Sequence, residues 1–574
     1  MRVRGEWWES ERESSASGSH SHRSHSHSDH SPRTLIAPTR TSTLIYSHSH
    51  HFHSRLALSL GVSDSRAWRQ VLYILAGTTL LRLLIGAFVP LFPDETYYWD
   101  WSRTLMPGYF DHPPMIAVLI RAGTAIFGYH AIGVRFFSIL AGTGAIYAVA
   151  LTSRELAGDG AAKLAVLLLS CMPLAAVGLI LATPDAPMLC AESWTIYAVV
   201  RALNLSGAKD ARPSVRWWLI AGLTIGLAMA SKYTSILVPA AIALACVLHP
   251  RLQNKFGERG PYFAVVIASL VLAPVLFWNW RHDWVSFEFQ LGHGLGEPQG
   301  GILAALNREL ELLGGQIGLL SPILFFYVAR AIKRAFEPTP DGIRLVLGVT
   351  AACSLAFFVY SATHRRAEAN WPAIAWIPAV ILLATEPVGS DRSERWLSRG
   401  LVLGGVLSAI VCIHAIYPII PLRADRDQIS KAYGWELLGA VVDKHLDAAN
   451  SRQSSGGDLF VAGERYQDAS ELAYHMKSHP RVYSLNLVGR ANQYDLWTTF
   501  NEHAPVGAGL ILVLDEQKGE PREIRKLACC FHIDSGESVA LMRGDDFVTR
   551  KRLWFLSRWN GEWPLRNQPF PWTH

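Results

Sequence analysis

The chain has 574 residues, half of them hydrophobic, with only 17% charged and a net charge of +6. A soluble globular chain carries about 25% charged residues, so the deficit points to lipid-facing surface. No basic patch accompanies a nucleic-acid motif, so no nucleic-acid partner is expected, and seven scattered cysteines without metal spacing indicate no disulfide framework.

Residues 1–66 are low in complexity and rich in Ser, His and Arg, with too little apolar content to bury a core, so disorder is expected there. The alternation from His20 to His27 would suit a transition metal, but a solvated tail is the plainer reading. No signal peptide is expected, because the apolar stretch at 55–61 is short and lacks a clear cleavage site.

From Trp68 the texture changes. Apolar runs recur at about 70–92, 131–153, 161–182, 185–203, 216–231, 233–248, 261–280, 317–332, 342–361, 370–385 and 399–420. A bilayer core needs about 20 apolar residues in helical form, and backbone polar groups in lipid must be satisfied within the helix. These runs predict about eleven transmembrane helices. The shorter stretch 113–127, broken by Arg121, predicts an amphipathic helix at the interface.

Lysines and arginines orient the bundle. With the start of the first helix in the cytoplasm, the cytoplasmic loops hold Arg154 and Lys163; Arg201, Lys209, Arg212 and Arg216; Arg251, Lys255 and Arg259; Arg330, Lys333, Arg334 and Arg344; and Arg392, Arg395 and Arg399. The short opposite loops are poorer, apart from Arg365 and Arg366, as the positive-inside rule requires. An odd helix count places residues 421–574 outside. Strand-like runs at 458–462 and 510–514 predict a small α/β domain there, with a boundary near Pro421. The expected organisation is a tail over 1–66, a transmembrane domain over 67–420 and an extracytoplasmic domain over 421–574.

The first outer loop reads PDETYYWDWS from Pro93 and GYFDHPP from Gly108. Acids at a membrane boundary are costly unless solvated, paired or functional. Asp94, Glu95, Asp100, Asp111 and His112 gather there among aromatics. A solvated loop with an aromatic belt and a reactive site both fit that composition.

The strings PDETYYWDWS and GYFDHPPMIAVLIR, with ATPDAP at 182–187, SKYT at 231–234 and NWPA at 370–373, resemble the integral-membrane type C glycosyltransferases of family 39. That family includes protein O-mannosyltransferases and bacterial enzymes that add aminoarabinose to lipid A. The tail strings RYQDASELAYHM and NQYDLW resemble its bacterial members, and the likeness spans about residues 68–500. It implies a mainly helical polytopic GT-C fold and a polyprenyl-phosphate-sugar donor. The acceptor would be lipid A, an envelope glycan or a protein, met at the outer face of a bacterial inner membrane with inversion at the sugar carbon.

The resemblance assigns the base role to Asp94. A carboxylate can take the proton of a hydroxyl as it attacks. Glu95 would tune or orient Asp94, or act simply as a helix-start acid. Asp111 and His112 would suit a divalent metal, or a hydrogen bond across the loop. The lipid A enzymes carry an acid followed by Lys at this string, so His112 departs from them and a lysine–phosphate contact does not carry over. Asp185 corresponds to a second functional acid in the family and also suits a helix cap. Lys232 would meet the donor phosphate or snorkel to the interface.

His364, Arg365 and Arg366 form a further outer cluster before Glu368 and Asn370. Arginine forks match phosphate oxygens, while pairing with Glu368 or with headgroups is the alternative. The string from Trp278 to Trp284 would shape a sugar or lipid groove, or an aromatic belt. A transporter or flippase of lipid-linked sugars is the competing function. It would favour charges midway along helices and inverted repeats, whereas the charges here bunch at the outer ends.

Overall fold

In the computed structural model, the residues described are 65–203, 215–338, 341–387, 389–452, 458–486, 489–517 and 520–563. The His/Ser-rich stretch expected over 1–66 lies almost wholly outside them, as do Lys209 and Arg212.

Every apolar run predicted from the sequence carries helix. Among the described residues, five helices are long and apolar enough to cross a membrane: Ser65–Phe88, Ala131–Cys171, Arg259–Arg281, Gly342–His364 and Asp391–Ile416. Two bent pairs raise the number to seven if each is one span. They are Tyr233–Leu248 with Pro250–Gly257, bent by 111°, and Ile302–Leu320 with Pro322–Arg334, bent by 104°. Met115–Phe127, Val215–Met229 and Ala373–Thr385 are shorter apolar helices. The chain is an integral membrane protein with several apolar spans; among the described residues five to seven helices or bent pairs qualify by length and composition, against eleven apolar runs.

The helix Ala131–Cys171 explains part of that difference. Its 41 residues would extend about 60 Å, twice a bilayer core, if it were straight. It breaks at Ala157 and Gly158, where Gly158 adopts a φ of 83° that a side chain would resist. Arg154 and Asp159 pair across the break at 2.5 Å. The chain reverses there, and Leu179 returns to pack on Gly142. The runs expected at 131–153 and 161–182 are therefore the two legs of one hairpin.

Met115–Phe127 is amphipathic as expected. It buries Ile116, Ala117, Ile120, Gly123 and Thr124 and leaves Arg121 exposed. Its buried face lies against the start of the hairpin, where Gly123 and Gly133 approach too closely for any side chain.

After Ile416 the chain builds a mixed five-stranded sheet. The strands are β1 (Leu459–Gly463), β2 (Tyr483–Ser484), β3 (Gly509–Asp515), β4 (His532–Arg543) and β5 (Asp546–Ser557), in the order β2-β1-β3-β5-β4. β1 runs parallel to β2 and β3, while β5 is antiparallel to β3 and β4. Leu510 to Leu514 are all buried, as a central strand covered on both faces requires. The helix Tyr466–His475 crosses between β1 and β2.

That crossover helix decides how the two halves meet. Its buried residues Ala469, Leu472 and Ala473 share one apolar core with Tyr97, Tyr98, Trp99, Trp101 and Tyr109 of the first outer segment. The expected outer domain is not a separate bead: it caps the acid-rich string.

Candidate active site

The segment expected as an outer loop is largely a helix, Pro93–Arg103. Proline at its first position has the fixed φ that suits a helix start, and Asp94 and Glu95 sit favourably at the positive end of the helix dipole. Every residue from Glu95 to Ser102 is buried, so the solvated-loop alternative does not hold. Trp99 is fully buried and meets Tyr129 and Tyr474 edge-on at 5.3 and 5.0 Å. Trp101 stacks on Tyr109 at 4.4 Å. The aromatics belong to a core, not to a membrane-interface belt.

Successive helical residues point about 100° apart, and this separates the acidic pair. Asp94 is exposed into a cavity of about 660 Å³, whose walls include Asp111, His112, Asp185, Lys232, Tyr466 and Arg490. The protein around Asp94 pushes its carboxyl above the usual carboxylate range. Arg490 opposes that rise, Asp111 adds to it, and a hydrogen bond from Tyr466 at 3.5 Å opposes it.

Glu95 turns the other way and lines no part of this cavity. It is fully buried in an ion pair with Arg135, with Nη2 to Oε2 at 2.5 Å and Nε to Oε1 at 2.8 Å. Its remaining lone pairs accept from the backbone N–H of Phe92 at 3.0 Å and of Ala182 at 2.8 Å. Arg135 also donates to the carbonyls of Gly86, Val89 and Pro90. Glu95 therefore fastens the helix start to the hairpin. It sits at the helix start as one expectation had it, and its charge adds a small upward push on the Asp94 carboxyl, the last of five influences.

Asp185 and Lys232 meet as an ion pair at 2.8 Å on the cavity wall. The second oxygen of Asp185 accepts from Asn370 at 3.0 Å. Both oxygens of Asp185 are thus spent on side chains. The Lys232 ammonium is held by protein at the cavity, which differs from a snorkelling side chain.

Asp111 is buried, and its oxygens accept from Arg490 at 2.5 Å and from the Tyr97 hydroxyl at 2.7 Å. Burial pushes its carboxyl upward, against the pull of Arg490 and Tyr97. Burial pushes His112 well below its ordinary value, assisted by Lys232 and Arg490, so the imidazole is neutral near pH 7. His112 Nδ1 is buried without a partner among the described residues. No group of three or more His, Cys, Asp or Glu side chains able to hold a metal occurs among the described residues. Asp111 and His112 alone, with Asp111 committed to Arg490 and Tyr97, do not make the donor set a divalent ion needs.

The cluster at 364–366 stands apart. His364 is engaged with Thr363 and the Tyr360 carbonyl. Arg366 is exposed and lies 3.7 Å from Glu311, not Glu368. Arg365 packs by Gly296. None of the three lines the cavity, whereas the nearby Glu368, Asn370 and Trp371 do. Of the tryptophan string, Trp278 is buried against Phe110, while Trp280 and Trp284 are exposed.

Sequence reasoning missed Tyr97, Tyr466, Arg490 and His293 as cavity residues. The strings beginning at Arg465 and Asn492 were the available signal. Tyr466 belongs to the first, and Arg490 precedes the second by two residues. Gln493 donates from its backbone to the Tyr97 hydroxyl at 2.7 Å and accepts from the Phe110 N–H at 2.7 Å. Tyr494 donates to Asp100 at 2.7 Å. This tail segment is hydrogen-bonded to the helix Pro93–Arg103 and to the stretch of chain that follows it at Phe110.

Comparison with known proteins agrees with this arrangement. Residues 111–278 match the model of the dolichyl-phosphate-mannose-protein mannosyltransferase family. The lipid A galacturonosyltransferase RgtD of Rhizobium johnstonii is 28% identical over 430 residues, covering 74% of this chain and 87% of that protein. The undecaprenyl phosphate-alpha-4-amino-4-deoxy-L-arabinose arabinosyl transferase of Pseudomonas paraeruginosa is 28% identical over 219 residues, 34% of this chain and 39% of its own length. The crystal structure of ArnT from Cupriavidus metallidurans bound to undecaprenyl phosphate superposes with a TM-score of 0.58 at 15% identity, covering 86% of this chain and 98% of that one. The fold is the GT-C fold of ArnT, and the chain is related to these transferases.

Proposed function

We propose that this membrane glycosyltransferase, a relative of the mannosyltransferase family matched at 111–278, moves a sugar from a polyprenyl phosphate to a hydroxyl of a lipid A-like glycolipid. The observation that carries the reading is the cavity itself. An exposed carboxylate with a raised pKa, Asp94, shares it with two cationic side chains, Lys232 and Arg490. Part of the remaining wall is apolar, with Ile236, Leu237, Leu291, Leu295 and Phe357. Ile236 and Leu291 are themselves exposed, so the apolar end opens toward the lipid-facing surface. A charged head with an isoprenoid tail matches that division.

The chemistry follows from the placement. The acceptor oxygen attacks the anomeric carbon, and Asp94 takes the hydroxyl proton as the bond forms. The bond from the anomeric carbon to the phosphate oxygen breaks, and polyprenyl phosphate leaves with the electron pair. A cation near that oxygen stabilises the developing charge. Lys232, held by Asp185, which Asn370 holds in turn, fits this role. Attack from the side opposite the phosphate inverts the carbon and needs no covalent enzyme intermediate.

The donor class and glycolipid acceptor are supported by the relatives' own activities: a lipid A galacturonosyltransferase and an undecaprenyl phosphate-linked arabinosyl transferase. A bacterial inner membrane with the cavity on its outer face belongs to the same proposal, and both relatives are bacterial proteins. The test is mass spectrometry of envelope lipid A, glycans and proteins from cells with and without the chain. Loss of one sugar from lipid A supports the proposal, and unchanged lipid A overturns the acceptor.

A further inference from the structure

We infer that Arg490, supplied by the domain that follows the membrane bundle, is a phosphate ligand of the donor site, and that its ion pair with Asp111 is exchanged for the donor phosphate on binding. The inference rests on the donor class proposed above and deepens it.

Four observations carry it. Arg490 reaches the cavity across 379 residues of sequence to touch Asp111 at 2.5 Å. Its side chain nevertheless stays 44% exposed, beside an Asp111 side chain that is only 5% exposed. A guanidinium has five donors in a planar fork that matches phosphate oxygens, and Nη2 is the one on Asp111. The guanidinium lies over the rings of Phe289 and Tyr466 at 4.6 and 5.7 Å, which hold the plane of the fork without consuming its donors.

The position of the fork is set from outside the cavity. Asn492 to Asp495 form a capped turn, and Gln493 and Tyr494 are hydrogen-bonded to Tyr97, Phe110 and Asp100. Arg490 thus enters on a fixed backbone. Lys232 faces the same cavity, as does His112 with its unpartnered Nδ1. A phosphate among the three would meet two cations and a neutral imidazole able to donate.

Competition follows from the geometry. Asp111 and a phosphate are both anions that the same fork recognises, so each weakens the other's hold on Arg490. Asp111 is not stranded when Arg490 turns, because Tyr97 still donates to its second oxygen at 2.7 Å. A purely structural Arg490–Asp111 latch predicts the reverse: loss of either partner loosens the site equally.

The test is binding of undecaprenyl phosphate to the purified full-length protein in detergent, with inorganic phosphate and a bis-phosphorylated lipid A disaccharide as separate probes. Arg490→Gln is expected to weaken undecaprenyl phosphate binding at least tenfold, and Asp111→Asn to leave it unchanged or tighten it. Binding by Arg490→Gln within twofold of the parent overturns the inference. So does Asp111→Asn weakening binding tenfold or more, which also decides the matter should Arg490→Gln fail to fold. Loss confined to the lipid A disaccharide overturns the donor assignment, and equal loss for inorganic phosphate supports phosphate recognition by the fork. A parent protein that binds no undecaprenyl phosphate overturns the donor reading itself, an outcome distinct from a variant that binds normally.

Discussion

Glu95 and Arg135 form a fully buried ion pair, 2.5 Å from Oε2 to Nη2, directly beneath the residue that faces the cavity. Removing one partner of such a pair leaves a buried charge alone and costs about 3–5 kcal/mol. Glu95→Ala and Arg135→Ala should each lower thermal stability in detergent by an amount in that range. The double variant should lose less than the sum, because it strands neither charge. Additive losses in a thermal-unfolding cycle would show that the two residues act independently.

Asp94→Asn should behave differently, since Asp94 is exposed and holds no structural ion pair. Stability should stay within about 0.5 kcal/mol of the parent. Sugar transfer from a labelled polyprenyl-phosphate donor should fall by about 10²–10⁴-fold, the usual contribution of a general base. Retained transfer would remove Asp94 from the base role. Movement of the donor across the membrane without sugar transfer in the parent protein would favour the flippase reading.

The raised pKa of Asp94 makes the reaction pH-dependent in a definite direction. A base works only when deprotonated, so kcat/KM should fall as pH drops through a value above the ordinary carboxylate range. The Tyr466 hydrogen bond opposes that rise. Tyr466→Phe should therefore shift the acid limb of the pH–rate profile upward. A limb that stays in place, or moves down, would disconnect Tyr466 from Asp94.

Glu471 offers a stability test in the capping domain. It is fully buried, and burial pushes its carboxyl up to about 7, against the hydrogen bond and charge of His475. The native state thus holds a proton that the unfolded state releases near pH 4.5. Stability should decline by about 3 kcal/mol as pH rises from about 4.5 to 7. Glu471→Gln should flatten that decline. An unfolding temperature with the same pH slope in both proteins would refute it.

Lys232 and Arg366 separate cavity cations from surface ones. Lys232→Met should cut kcat/KM by about 10²-fold, as removal of one charge-stabilising donor does. It also leaves Asp185 unpaired, so Lys232→Arg should recover part of the loss. Arg366 is 74% exposed and outside the cavity, and Arg366→Ala should stay within about twofold. Steady-state kinetics with varied donor distinguishes the two, and equal losses would return the 364–366 cluster to the site.

Much of the site was legible before any coordinates. Asp94, Asp111, His112, Asp185 and Lys232 were picked out from their strings and from a topology that put them at one end of the bundle, and all five line the cavity. Arg366 is exposed and lies near Glu311, Arg365 is half-buried beside Gly296, and neither lines the cavity, whereas Asn370 reaches Asp185. The eleven apolar runs were found correctly as helices. Two of those runs are the legs of the hairpin that breaks at Gly158.

Local pattern determined the membrane helices, the α/β character of the tail and the end of the bundle where charge collects, because each is written in residues a few positions apart. Tertiary structure decided which acid of the Asp94–Glu95 pair faces the cavity. Adjacent residues on a helix face different ways, and only the positions of Arg135 and the cavity say which way is inward. It also decided that Tyr466 and Arg490 belong to the site. They arrive from more than 370 residues away through a core shared by Trp99, Tyr97 and Leu472, and no local periodicity encodes a contact of that range.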